Sequence, residues 1–198
     1  GADPDKIWEF NKNKICIIKN NKRKFINESP YLFLKKLIEK FNFPIPKNLP
    51  SLSSLLVGYF SYDIIRYIEK IPDKCLDDLK IPDIRLMRPK TIIIHDNLLK
   101  KIYFIANCFA DEKIPDYKKY YSEQKQNIQF LKNMTFDYGY RNIGKKIYNR
   151  KIKVKSNISK NRFKKIVLKA KKYIKKGDIF QVVLSQRFES KLTKAPLE

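Results

Sequence analysis

Apolar positions along the chain switch between the period of a strand and the period of a helix, and the switches mark out the elements. Residues 6–10 and 14–19 are short β-type runs, and Asn11-Lys12-Asn13 between them has the composition of a hairpin turn. Trp8 in the first run is expected in the core. Ser29-Pro30 predicts a helix start, a capping hydroxyl followed by proline at the first helical position. Leu34, Leu37, Ile38 and Phe41 continue it at i, i+3, i+4 and i+7, and Pro44, Pro46 and Pro50 end it. Residues 55–60 read as a buried strand in which Gly58 marks a bulge or a close backbone approach. Ser61 is then expected to cap a helix through Glu69, closed by Pro72, with Arg66 and Glu69 as a surface ion pair three residues apart.

Residues 84–87, 91–95 and 101–106 follow as a meander of β-type segments with a turn at Asp96-Asn97. After Pro115 the pattern predicts a helix from 116 to about 131. Residues 133–157 lack periodicity, are basic and contain Gly139 and Gly144 as breakers. They are expected to link a domain over 1–132 to the beginning of another over 158–198, with room for a short strand at 151–155. Ser159 caps a predicted helix with Phe163, Ile166, Val167, Ala170 and Ile174 on one side and lysines on the other. Gly177 stands where a left-handed C-terminal cap belongs.

The stretch from Gly177 to Phe188 is an unusual strand pattern. Ile179, Gln181, Val183, Ser185 and Arg187 share one face, and Phe180, Val182, Leu184, Gln186 and Phe188 the other. A buried amide or guanidinium costs about 1–3 kcal/mol unless paired. Gln181 and Arg187 are therefore either satisfied within the structure or face a ligand.

Composition narrows the classes. With 43% hydrophobic and 13% aromatic residues the chain has enough apolar surface to fold. A net charge of +24 invites a nucleic-acid reading. Only eight of the 44 basic residues are arginines, however, and the planar arginine fork is what base and phosphate recognition favours. A solvated lysine surface is the favoured reading, and a basic nucleic-acid-binding protein the alternative. Cys16, Cys75 and Cys108 are odd in number and widely spaced, which supports neither a disulfide framework nor a zinc site. His95 is the only histidine, so a multi-histidine metal centre within this chain is excluded. No apolar run approaches the ~18 residues of a spanning helix.

The run from Lys175 through Gly177-Asp178-Ile179-Phe180-Gln181-Val182-Val183-Leu184-Ser185-Gln186-Arg187-Phe188 resembles the segment that opens the catalytic domain in the component I family of anthranilate synthases, which are chorismate-utilising enzymes. Gly58-Tyr59, Tyr62-Asp63, Arg66, Glu69 and Pro72 are similar to that family's Gly-Tyr-x-x-Tyr-Asp-x-x-Arg-x-x-Glu-x-x-Pro signature. Ile81-Pro82-Asp83 and the apolar strand ending in Asp96 resemble its next segment. Ser156-Asn157, Phe163, Val167, Ala170 and Tyr173-Ile174 resemble the helix that leads into its catalytic domain.

The resemblance implies an α/β (α+β) fold. A regulatory N-terminal domain, a mixed, largely antiparallel sheet with helices, would precede the first helix and strand of a chorismate-binding domain. It implies addition of ammonia to chorismate and loss of pyruvate to give anthranilate, the first committed step of tryptophan biosynthesis. Mg²⁺ would be the cofactor, a glutamine amidotransferase subunit (component II) the source of ammonia, and tryptophan the feedback inhibitor. The Mg²⁺ ligands and catalytic histidine are expected beyond Glu198 and the front of the tryptophan pocket before Gly1, so the chain reads as a piece of a longer protein, inactive alone, with no metal or cofactor site of its own. A cytoplasmic setting without nucleic-acid or membrane partners is expected.

Gln181 is the matched position with mechanistic content. Related isochorismate and salicylate synthases carry there a lysine that activates water, whereas a neutral amide cannot take a proton. Glutamine therefore suits an enzyme whose nucleophile is ammonia. Arg187 is a second candidate, for a substrate carboxylate, with a structural ion pair as the alternative. Aminodeoxychorismate synthase component I, of the folate pathway, shares the glutamine and remains the competing family. Its strand more often reads Cys-Tyr-Gln-Val-Asn-Leu-Ala-Gln, against Ile179 to Gln186 here.

Overall fold

The computed structural model describes residues 2–41, 44–109, 111–112, 114–137 and 153–191. The chain divides into two compact units, Gly1–Arg141 and Asn142–Glu198. Of the expected linker, residues 138–152 lie outside the described residues, as does the end of the chain from 192.

In the first unit β1 (Ala2–Asn11), β2 (Lys14–Lys19) and β3 (Lys22–Ile26) form an antiparallel meander. The loop Asn20-Asn21 has positive φ at both residues, 49° and 59°, the geometry of a two-residue hairpin turn that asparagine tolerates well. β1 pairs with the long β5 (Ile84–Asp96), which also carries β4 (Val57–Phe60) and β6 (Lys101–Ala106), all antiparallel. The order is β3-β2-β1-β5-β4, with β6 on β5.

The two β segments expected at 84–87 and 91–95 are thus one 13-residue strand. Pro89 does not break it, because Pro89 lies opposite Pro4 of β1 where neither residue offers an N–H, and the register shifts there to bulge out Asp5. Four residues close the turn to β6, and Oδ1 of Asp96 accepts from the N–H groups of Leu98 and Leu99 at 2.9 and 2.8 Å.

One face of the sheet holds the core. Trp8, Phe10, Ile15, Ile84 and Leu86 are buried there with Leu37 of α1 (Pro30–Glu39), and Phe33, Leu34 and Ile17 pack around them. Phe33 meets Phe10 edge to face, centroids 5.9 Å apart. Each buried side chain of this size contributes about 1.5–3 kcal/mol. α1 starts at Pro30 as the sequence predicts, but the Ser29 hydroxyl makes no capping bond; its carbonyl accepts from Phe33 N–H at 2.9 Å.

Other expectations are corrected. β4 is exposed on Val57, Tyr59 and Phe60 rather than buried. The helix after Ser61 is a single 3₁₀ segment, Tyr62–Tyr67, and the Ser61 hydroxyl is buried without a partner. α2 (Tyr117–Asp137) runs past 131, with Phe136 near Phe104 of β6. None of the described helices is long and apolar enough to cross a membrane.

The second unit contains β7 (Val154–Ser156), α3 (Lys160–Lys175) and β8 (Phe188–Ser190), with β7 and β8 antiparallel. Ser159 caps α3 by accepting from Arg162 N–H at 3.3 Å. At the other end Gly177 has φ 77°, its N–H donates to Ile174 O at 3.0 Å, and Asp178 N–H donates to Tyr173 O at 3.1 Å. These are the paired 5→2 and 6→1 bonds of a Schellman cap, and they stop the helix where the glycine predicts.

Candidate functional site

The strand expected over 179–188 is not a strand over most of its length. Only Phe188 belongs to β8, and residues 179–187 make no ladder. A segment becomes a sheet strand only where a neighbouring strand pairs its backbone N–H and C=O groups. Among the described residues β7 supplies one edge, and it reaches only from Phe188 to Ser190. Phe180 and Val183 are consequently almost fully exposed.

Gln181 is exposed on this segment and makes no hydrogen bond among the described residues. Arg187 is fixed. Its N–H donates to Asn157 Oδ1 at 2.9 Å, its carbonyl accepts from Asn157 N–H at 3.1 Å, and its Nε donates to Glu189 at 2.8 Å. The structure does not bring Gln181 and Arg187 together through any shared partner among the described residues.

The signature stretches of the first unit serve the fold. Gly58 crosses β5 so closely that a Cβ on it would clash with the backbone of Arg85. Arg66 pairs with Asp63 at 3.1 Å, not with Glu69, and its Nη1 donates to the carbonyls of Ile71 and Pro72 at 3.2 and 2.9 Å. Asp83 ties three segments: Oδ2 accepts from Tyr67 Oη at 2.8 Å and from Lys12 N–H at 3.0 Å, and its N–H donates to Phe10 O at 2.8 Å. Burial, and then the hydrogen bond to Asp83 and its charge, push the Tyr67 hydroxyl well above its ordinary pKa.

The bulge in β1 builds a charge cluster that periodicity alone did not disclose. Asp5 and Arg88 are 7% and 6% exposed, and Nε and Nη2 of Arg88 donate to the two oxygens of Asp5, the first at 2.7 Å. Nη2 also donates to Asp111 Oδ1 at 2.9 Å, and Lys6 donates to Asp111 Oδ2. The guanidinium lies over the Phe109 ring, 3.8 Å from its centroid. Burial opposes ionisation of Asp111, but hydrogen bonds from Lys6 and Arg88 and their charges outweigh it and hold its carboxyl at about 2. Burial pushes the Glu112 carboxyl up, Lys90 at 3.5 Å opposes this, and Asp5 adds to it. The signal was present in β5: Ile84, Leu86 and Arg88 alternate onto the core face, so an arginine there requires a buried acid.

Beside this cluster a cavity of about 770 Å³ lies between α1 and the sheet. His95 is exposed at the end of β5. Among the described residues no group of three or more His, Cys, Asp or Glu side chains is placed to hold a metal ion.

Comparison with known proteins adds to the geometry. The model of the chorismate binding enzyme family matches residues 2–198. The chain is 35% identical over 193 residues to anthranilate synthase component 1 of Acetivibrio thermocellus, covering 94% of this chain and 38% of that protein. It is 34% identical over 173 residues to the same-named protein of Aquifex aeolicus (87% and 34%), and 32% identical over 219 residues to anthranilate synthase alpha subunit 1 of Arabidopsis thaliana (100% and 36%). The crystal structure of anthranilate synthase component I from Streptococcus pneumoniae shares the fold, with a TM-score of 0.76 at 22% identity over 99% of this chain and 42% of that one. The chain thus spans little more than a third of the length of these curated relatives. With the match running from Ala2 to Glu198, this chain belongs to the chorismate binding enzyme family.

Proposed function

We propose that this chain is part of an anthranilate synthase component I, which adds ammonia to chorismate and releases pyruvate to form anthranilate for tryptophan biosynthesis. The observation that carries the reading is the 32–35% identity to anthranilate synthase component 1 of two organisms and to the alpha subunit of a third. In this reading residues 1–132 are the regulatory domain and residues 158–198 the beginning of the chorismate-binding domain. A glutamine amidotransferase subunit delivers the ammonia in the cytoplasm, and tryptophan inhibits.

Gln181 is proposed to stand in the chorismate cleft. Its exposure and its unspent amide are consistent with that place. The amide can donate to and accept from a bound substrate but cannot remove a proton from water, so the site favours a nucleophile that needs no such base. Arg187 would meet a substrate carboxylate only by sharing its guanidinium with Glu189. Mg²⁺ would fix a carboxylate and neutralise developing charge. The described residues do not form a set of ligands for it, so its ligands are proposed to lie beyond residue 198 and no step is routed through it.

The test is the full-length protein with chorismate, an ammonium salt and Mg²⁺. Anthranilate fluorescence with release of pyruvate is the expected result. An amino product that retains its enolpyruvyl group would transfer the reading to aminodeoxychorismate synthase, and neither product would overturn both. The basic nucleic-acid-binding alternative predicts binding that persists at ~150 mM salt with a steep salt slope.

A further inference from the structure

The cavity between α1 and the sheet has a volume of about 770 Å³, within the range of small-molecule sites. Its apolar wall is formed by Trp8, Ile17, Phe33, Leu37, Phe41 and Phe109. Four of these six are aromatic, which suits a flat ligand body.

The polar groups around it are unevenly spent. Glu28 is paired with Lys36, and Asp111 with Lys6 and Arg88. Arg88 uses Nε and Nη2 on Asp5 and Asp111, while its Nη1 makes no hydrogen bond among the described residues. Nη1 is not among the side-chain atoms sealed from solvent without a partner, so it keeps some open surface on a residue that lines the cavity. Lys40, also lining it, has no ion-pair partner among the described residues. With Asp5 counted behind Arg88, the charges around the cavity leave one positive charge in excess.

We propose that this cavity binds a monocarboxylate with a flat apolar body. The ring system lies among Trp8, Phe33, Phe41 and Phe109, the carboxylate accepts from Nη1 of Arg88, and Lys40 supplies the uncompensated charge. A zwitterion fits less well, because its ammonium group would add to the excess. The site is independent of Gln181 and of the reaction proposed above.

The probe is 2-naphthoate, titrated into the 198-residue chain by calorimetry, with 2-naphthamide, decanoate and tryptophan as comparisons. Single-site binding of 2-naphthoate is expected, with the neutral amide and decanoate each at least about tenfold weaker and tryptophan unable to displace it. Lys40→Glu is expected to weaken 2-naphthoate about tenfold. Cys108→Trp, which puts bulk at an exposed lining position, is expected to abolish binding. Lys40 and Cys108 are exposed, so both variants retain the core. Absence of saturable 2-naphthoate binding, equal affinity for the amide or decanoate, displacement by tryptophan, or an unchanged affinity in either variant would each overturn the proposal.

Discussion

Gly58 of β4 and Arg85 of β5 approach so closely that a Cβ on the glycine would lie 1.8 Å from the Arg85 carbonyl oxygen and 2.8 Å from its carbonyl carbon. The obstacle is backbone, which cannot rotate aside as a side chain would. Gly58→Ala is therefore expected to destabilise the first unit by about 3 kcal/mol or more through separation of β4 from β5. A urea titration should show a lower midpoint with little change in slope, and a midpoint equal to that of the parent chain would refute the contact.

Gly177 gives the opposite case. It has open space around the Cβ position but a φ of 77°. Gly177→Ala should cost only about 1 kcal/mol, from left-handed backbone strain at the Schellman cap. Helix content over α3 should persist, and its amide exchange should quicken in the last turn. Loss of the whole helix on this substitution would contradict the cap geometry.

The buried pair Asp5–Arg88 should behave non-additively. Removing one partner leaves an uncompensated charge, so Asp5→Leu or Arg88→Met alone is expected to cost about 3–5 kcal/mol. The double variant should cost clearly less than the two losses added together, because both desolvation penalties are removed. A double-mutant cycle that sums within error would show that the two side chains do not interact.

Acid sensitivity follows from Asp111. Its carboxyl is held at about 2, below the ordinary 3.8. Its contribution is therefore fully present above about pH 4 and is lost as pH falls through about 2. The side chain is 48% exposed, and screening by water leaves about 1 kcal/mol. Urea midpoints measured from pH 5 down to pH 2 should fall less in Asp111→Asn than in the parent chain; parallel curves would remove this contribution.

The proposed role of Gln181 makes a chemical prediction for the full-length protein. Gln181→Lys supplies an amine that burial can tune into a base. Anthranilate formation should fall by about 10²-fold or more, and a water-addition product of chorismate should appear on chromatography. Unchanged anthranilate formation with no new product would remove Gln181 from the cleft.

What the sequence disclosed was local. β2, β6, the start of α1 and both ends of α3 rest on periodicity and cap residues within a few positions, and they appear where those signals lie. β3 is not legible in the sequence because Lys22-Arg23-Lys24 obscures alternation, as suits an edge strand that must not recruit a partner. Residues 179–187 have the pattern of a strand, yet pattern does not supply hydrogen-bonding neighbours. Ser29, Ser61 and Ser159 each stand where a cap belongs, but only Ser159 turns its hydroxyl to that use. The Arg88 cluster depends on partners 83 and 23 residues away, which no local window contains.

The facing prolines of β1 and β5 also act as an index mark for assembly. Slide β1 along β5 by one residue and Pro4 and Pro89 no longer face each other, so each would confront a residue whose amide has nothing to bond with. The same slip would strand Asp5 and Arg88 apart in an apolar interior. Two residues that donate nothing to the ladder thereby exclude the misaligned sheets that a long apolar strand would otherwise allow.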